Sequence, residues 1–474
     1  MRIFLFLALF IPKMLIAQVA IGTTNPDESS ILDITSETQG VLLPRMTTNQ
    51  MNTIATPAKG LTIFNTQTNT YYFYDGSAWT DLGAVKRDNY KLVKSVADLQ
   101  DEITNGSGSK YLLNTDYLYE INGSINLDFP IDLNGAYIEG VDSGSDILVN
   151  ASGGALFVGT TGGSIRSITI NGGNSQVFNL TGGALIVNNT IFSGASSLGT
   201  LAGLNLAFFS ISQFISNDTG FNVSNIGSFF MSNTFWTASN QGTFLNLSGS
   251  YEDLQIENGR IVADAGETGL DVSANPTVAN SALLNGVSFV GDGDLVNGYA
   301  AANTFPGYNF SINWDVNCEG IPVEIDANAS ANFYSTENLT TGFSQSITSS
   351  TAVEVQGSGN FASQNLFRFT SSGSNNRITY KGRKERNVQL TASLSIRVTG
   401  TNGNFYAFVF AKNGTLVTES NAVVYIQNDT QIQNVSLASV VDLDQDDYIE
   451  VYVKRLSGSG THTLIVFSEN VSIH

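Results

Sequence analysis

The chain has 474 residues, 21 Lys plus Arg against 41 Asp plus Glu, and a formal net charge of −20. Charged residues make up 13% and hydrophobic ones 42%, with 29 Phe and 17 Tyr, a composition that argues for packed cores and against disorder. Excess acidity with no long basic stripe argues against a nucleic-acid binder. The single Cys318 excludes a disulfide framework, and His462 and His474 leave most of the chain without histidine chemistry. A length of this order leads to an expectation of roughly two to four domains.

Residues 1–17, MRIFLFLALFIPKMLIA, follow the plan of a secretory signal peptide: basic Arg2, an apolar run, and small Ala17 before Gln18. No other run approaches the ~18 apolar residues of a membrane helix. The expectation is an exported chain, secreted or extracellular, with no membrane insertion after signal removal.

Residues 18–83 read as an N-terminal β attachment module. Leu61 to Phe64 and Tyr71 to Tyr74 flank Asn65 to Thr70 as a hairpin. Tyr72, Tyr74 and Trp79 belong to an aromatic cluster that suits sugar stacking or, with more weight, packing in a small sheet or trimer seam. Ile21-Gly22-Thr23-Thr24-Asn25-Pro26, Leu32-Asp33-Ile34, Gly40 to Met46 and Tyr74-Asp75-Gly76-Ser77-Ala78-Trp79 occur in an order that resembles the opening of secreted and surface proteins of Bacteroidetes-type bacteria. The same order is similar to tail fibres of the phages that infect them.

Residues 84–110 hold four lysines, and Val93, Val96, Leu99 and Ile103 recur at helical spacing, which predicts a helical neck or cap. From 111 to 299 short apolar strands alternate with Gly, Asn and Ser turns, with no lysine and only Arg166 and Arg260 as basic residues. Ile168, Ile191, Phe214, Phe235 and Ile256 mark a repeat of 21 to 23 residues, which in strand-rich sequence means a parallel β-helix. Phe178 to Gly182 and Leu245 to Gly249 look like one rung position used twice. The stretch from Tyr119 to Gly140 resembles the entry strands of β-helical appendage and pectate-lyase-like proteins, which implies a right-handed β-helix.

Polysaccharide cleavage needs two carboxylates flanking one bond. Asp264, Glu267 and Asp271, with Asp292 and Asp294 one or two rungs on, are the candidates; Asp beside Gly is also ordinary turn chemistry. A lyase is disfavoured because this region lacks Lys and His. Residues 300–351 form a transition segment with Trp314 and the lone Cys318.

From 352 to 474 strands at regular spacing predict an antiparallel jelly-roll sandwich. Leu394-Ser395-Ile396, Phe408-Val409-Phe410 with Lys412-Asn413-Gly414, and Leu443 through Val451 resemble the complement-C1q/tumour-necrosis-factor type jelly roll, with Asp446-Asp447 where that family has Gly-Asp. The resemblance implies a homotrimer. The strand Phe405 to Phe410 is expected to be buried on both sides, as at a trimer axis. Asp442, Asp444, Asp446 and Asp447 offer a weak calcium site against a solvated acidic turn; no other cofactor is expected. The basic run Arg377, Lys381, Arg383, Lys384 and Arg386 reads as a solvated strand edge or a contact for an acidic glycan.

The whole reads as an all-β protein: a small N-terminal β module, a right-handed parallel β-helix, then an antiparallel jelly roll. The function expected is a non-enzymatic, trimeric fibre or spike, phage tail-fibre-like or a host surface adhesin, that recognises cell-surface polysaccharide or lipopolysaccharide. The alternatives are a β-helical depolymerase and a structural spacer. The setting is a cell surface or a virion appendage.

Overall fold

A computed structural model describes residues 18–83, 88–349, 351–372, 377–400 and 403–474. The expected signal, residues 1–17, lies outside the described residues. Two compact units divide the chain, one up to Asp88 and one from Asn89 to His474.

In the first unit Thr62–Asn65 pairs antiparallel with Thr70–Tyr74, which pairs with Trp79–Asp81. Arg45–Met46 adds a parallel edge to Thr62–Asn65. A separate two-stranded pairing joins Val19–Ile21 to Leu32–Ile34.

The second unit begins with a parallel solenoid of 19 strands in one ladder. It starts earlier and ends later than the 111–299 expected: Tyr90–Val93 pairs with Leu118–Ile121, and Trp314–Glu319 is the last strand on the ladder. The neck helix is correspondingly shorter. Val93 closes a strand, a 3-10 turn covers Val96–Leu99, and the α-helix runs only Gln100–Asn105. Asp98 accepts from the Ser95 amide, which starts the turn. Leu99 and Ile103 then lie on the end of the core, and buried Glu102 takes Lys91 at 2.7 Å and the Tyr119 hydroxyl at 2.8 Å.

The register keeps Phe214 of the expected landmarks and moves the others, by one or two residues at Ile168, Ile191 and Phe235 and by five at Ile256. The buried stack is Ile170, Phe192, Phe214, Trp236 and Ile261, rung on rung. Ile191 and Phe235, taken above as landmarks, lie one residue before buried positions and point outward, because successive strand residues face opposite ways. Along this stack the spacing is 22 residues three times and then 25, and the phase fails at those two landmarks, while Ile168, Phe214 and Ile256 are buried. The pieces at 178 and 245 do share one stack, through Phe178, Gly199, Phe221 and Leu245.

Inside, aromatic rings run along the axis: Phe192 stacks on Phe214 with centroids 5.4 Å apart, and Trp236 meets Phe244 at 4.8 Å. Each fully buried Phe is worth about 2–3 kcal/mol. Gly199 matters here. It sits between Phe178 and Phe221, whose ring centroids are 6.2 Å apart two rungs from each other, and its lack of a Cβ lets the rung lie directly on the Phe178 backbone. At one corner buried asparagines replace apolar groups. Asn217 Nδ2 donates to Asn240 Oδ1 at 2.9 Å, Asn240 Nδ2 donates to the Phe214 carbonyl at 2.8 Å, and the Ala195 amide donates to Asn217 Oδ1. Each amide thus satisfies backbone groups that the turn leaves unpaired.

The C-terminal part has two antiparallel sheets around one apolar core. One contains Ser330–Ser335, Phe343–Ile347, Phe361–Phe367, Arg386–Thr399, Ile432–Leu443 and His462–Ile473; the other includes Ile378–Tyr380, Asn404–Lys412, Ala422–Ile426 and Tyr448–Arg455. The sheets therefore recruit strands from the segment 300–351. The strand Asn404–Lys412 is buried on both sides within a single chain: Tyr406, Phe408 and Phe410 enter the core, and Ala407, Val409 and Ala411 are covered on the other face. Its double burial does not by itself require a partner. Asp446, at the position where Gly is usual, adopts φ +71 and so keeps the glycine-like turn.

A Cβ at Gly199 would lie 2.0 Å from the Phe178 carbonyl oxygen, at φ +103; one at Gly203, φ +67, meets nothing within 4 Å. Gly199→Ala should therefore cost roughly 2–4 kcal/mol and Gly203→Ala about 1. Melting of the two variants side by side checks this; equal losses would refute the close approach. Asn240→Ala should cost roughly 1–3 kcal/mol, because it leaves the buried Asn217 amide, which donates to Asn240 Oδ1 at 3.0 Å, without its acceptor.

Candidate functional site

The candidate carboxylates sit in turns. Glu267 accepts from the Asp264 amide at 2.9 Å, and the Asp294 amide donates to the Glu267 carbonyl on the adjacent rung. Asp264, Glu267, Asp292 and Asp294 thus gather at one corner of two neighbouring rungs, with Asp264, Asp292 and Asp294 exposed. Asp271 lies at the other end of the strand Thr268–Asp271, where it accepts from Ser273 and from Asn297 Nδ2 at 3.0 Å. None of the five lines a described cleft.

The C-terminal aspartates do not gather round a point either. Asp447 pairs with Lys412 at 2.8 Å and accepts from Asn413 and from the Asp444 amide, while Asp446 pairs with Lys381 at 2.6 Å. Among the described residues no three His, Cys, Asp or Glu side chains form a metal-holding group. Lysines thus pair with two of the four carboxylates, those of Asp446 and Asp447.

Tyr72, Tyr74 and Trp79 do share one face of the N-terminal sheet. Tyr74 and Trp79 are cross-strand partners, ring centroids 5.6 Å apart and edge on, and Tyr72 is two residues along. Asp75 holds the turn between them. The amides of Ala78 and Ser77 and the Ser77 hydroxyl donate to its carboxylate, and these bonds hold its pKa down at about 2. The three rings are half-buried, which leaves one aromatic face available to a ligand or a partner.

Sequence reasoning missed a cleft of about 630 Å³ where the solenoid meets the C-terminal sheets. Its walls come from Asn275 to Val278, from Ala302 to Phe305, from Ser311 to Asn313, and from Thr370. The lining carries hydroxyl and amide groups and no charged side chain. Asn275 shapes one wall, its Oδ1 accepting from the Ala300 amide at 3.0 Å and from Asn303 Nδ2. Tyr299 lines the cleft as well, and buried Trp314 fixes it from behind: the indole donates to the Tyr299 hydroxyl at 2.8 Å, which donates to the Pro276 carbonyl at 2.6 Å.

Behind the cleft lies a buried polar knot. Arg368, 1% exposed and at φ +58, donates to the carbonyls of Ile312, Trp314 and Glu324 and faces the Asp326 carboxylate at 3.1 Å. Glu324, also buried, accepts from the amides of Asn309 and Phe310. Each member of the basic run has an acidic or carbonyl partner, part of it at this knot, although Lys384 stays 69% exposed. Arg383 and Lys384 reach Asp315 on the last rung, Arg386 donates to the Asp326 carbonyl, and Arg377 pairs with Glu450 and lies over the Tyr448 ring. Lone Cys318 is buried, and burial pushes its thiol pKa up, away from reactivity.

Residues 20–97 match the family model of a phage tail-like trimerisation region. Two solved structures are similar over most of the chain. One is the enzymatically active domain of tailspike protein 4 of bacteriophage CBA120, at TM-score 0.23 and 10% identity, covering 91% of this chain and 77% of that one. The other is the tailspike protein of Acinetobacter phage vB_ApiP_P1, at TM-score 0.30 and 11% identity, covering 90% and 100%. None of the curated proteins compared with the chain matches it.

Burial pushes the Glu324 carboxyl up to about 7, against the pull of the two amides and of Arg368. A folded pKa above the unfolded one means that its contribution is full at low pH and is lost as pH rises through about 7. The loss is on the order of 3 kcal/mol. Melting temperature should fall between pH 5 and 8, and Glu324→Gln should flatten that fall; an unchanged slope in the variant would assign the pH dependence elsewhere.

Proposed function

We propose that the chain is a trimeric spike or fibre protein of a phage tail type, displayed on a virion, that recognises a cell-surface glycan without cleaving it. The observation that carries this is the match of residues 20–97 to a phage tail-like trimerisation region, on a chain whose next segment is a parallel solenoid. Three-fold assembly also suits two half-exposed aromatic surfaces: Tyr72, Tyr74 and Trp79 in the first unit, and Phe405, Val423 and Tyr425 on the outer face of a C-terminal sheet. A C1q/tumour-necrosis-factor type of jelly roll is part of this reading and rests on strand pattern.

Glycan recognition is supported by clefts lined with amides and hydroxyls at the flank and end of the solenoid, a chemistry that matches sugar hydroxyls without charge. The second reading is a depolymerase. It is favoured by the grouping of Asp264, Glu267, Asp292 and Asp294 on neighbouring rungs, where two carboxylates would flank one glycosidic bond.

The readings separate in one experiment on residues 18–474. Sedimentation gives the assembly state, and incubation with capsular and lipopolysaccharide preparations follows both retention and new reducing ends. A trimer that is retained and releases nothing supports the proposal. Release abolished by Glu267→Gln or Asp292→Asn establishes the depolymerase, and a monomer retained on nothing refutes both.

A further inference from the structure

At one solenoid corner six successive rungs place a residue in the left-handed backbone region: Ser167, Asn189, Ile211, Asn233, Asn258 and Gly286, at φ +50 to +68. The flanking register confirms that they stack. Ser, Asn and Gly suit that conformation, because a short polar side chain can bond locally and Gly has no Cβ. Ile211 does not. A β-branched residue there is a genuine outlier, and it gains nothing in the core, since its side chain is 54% exposed. Strain held at an exposed position points to a role outside folding.

Ile211 borders a cleft of about 380 Å³ on the flank of the solenoid. Phe235, 44% exposed, and Ile191 are its other apolar walls, and Gln213, Asn189 and Ser143 supply amides and a hydroxyl. Ile191, Gln213 and Phe235 occupy the same outward row on successive rungs. The two apolar walls therefore stand about 10 Å apart with an amide between them. No charged side chain lines the cleft; Arg260 follows Phe235 only on the next rung. An apolar platform with a few neutral hydrogen-bonding groups fits a sugar ring, which is apolar on its C–H face and polar at its rim.

We propose that this cleft binds one pyranose unit of a neutral glycan, with its C–H face on Phe235 and Ile211 and its hydroxyls on Gln213 and Asn189. The proposal rests on the glycan-recognition reading and gives it a site and a substrate class distinct from the junction cleft.

The test uses residues 18–474, with titration against neutral oligosaccharides of glucan, galactan, mannan and rhamnan type and against uronate-bearing counterparts. Phe235→Ala should weaken the neutral ligand by about tenfold or more, and Gln213→Ala by a smaller factor. Ile211→Asn, which restores the residue of its neighbours at this corner, should weaken binding while raising the melting temperature by a few degrees. That opposition is the signature of strain kept for binding. Neutral-glycan binding unaltered by all three variants would overturn the site and leave the glycan reading intact. Binding of uronate-bearing chains alone would overturn the substrate class. No glycan bound by the unaltered protein would overturn the reading beneath it. If Phe235→Ala instead lowers the assembly state, the patch is a contact between copies and the proposal fails.

Discussion

The guanidinium of Arg368 is the group on which the second unit turns. A buried charge is tolerated only when it is paired and its donors are satisfied. Here the partners come from three places: the carbonyls of Ile312 and Trp314 at the last rung, the Glu324 carbonyl, and the Asp326 carboxylate. The end of the solenoid would otherwise present open strand edges and the faces of Phe310 and Trp314 to water. The polar knot seals that end, and the clamp of Arg383 and Lys384 on Asp315 repeats the device at the edge. The junction cleft exists because these contacts fix the loop 298–313 against the C-terminal sheets.

Along the solenoid the same economy holds at smaller scale. The chain closes each turn with residues that tolerate left-handed backbone, and it satisfies buried turn amides with Asn217 and Asn240 instead of water. Gly199 and Ile211 are the two departures. One removes a side chain so that a rung can lie on the backbone of the rung before it, and the other keeps a side chain that its backbone disfavours.

The strand content, the repeat length and most of the C-terminal strands were readable from apolar spacing and Asn-Gly turns; Lys412 to Thr415 forms the tight hairpin its sequence suggests. The phase of the repeat was not readable, because Ile191 and Phe235 are as apolar as the core residues beside them, and a one-residue slip exchanges inside for outside. The helix was drawn too long because Val93 continues a helical spacing although it belongs to a strand. The role of the basic run was invisible for another reason: Asp315, Asp326, Asp446 and Glu450 lie far from it in sequence and meet it only after folding. The junction cleft likewise draws its walls from segments nearly a hundred residues apart. The aromatic face at Tyr72, Tyr74 and Trp79 was legible because it is local to one hairpin.

In a parallel solenoid the rung-to-rung hydrogen bonds lie along the axis, and the stacked rings of Phe192, Phe214 and Trp236 fill the space between turns. Such a column has unequal mechanics. Tension along the axis falls equally on all the rung interfaces, which are in series, so the weakest turn opens first. Thrust along the axis meets close-packed side chains that have nowhere to go. The column is therefore stiffer when pushed than when pulled.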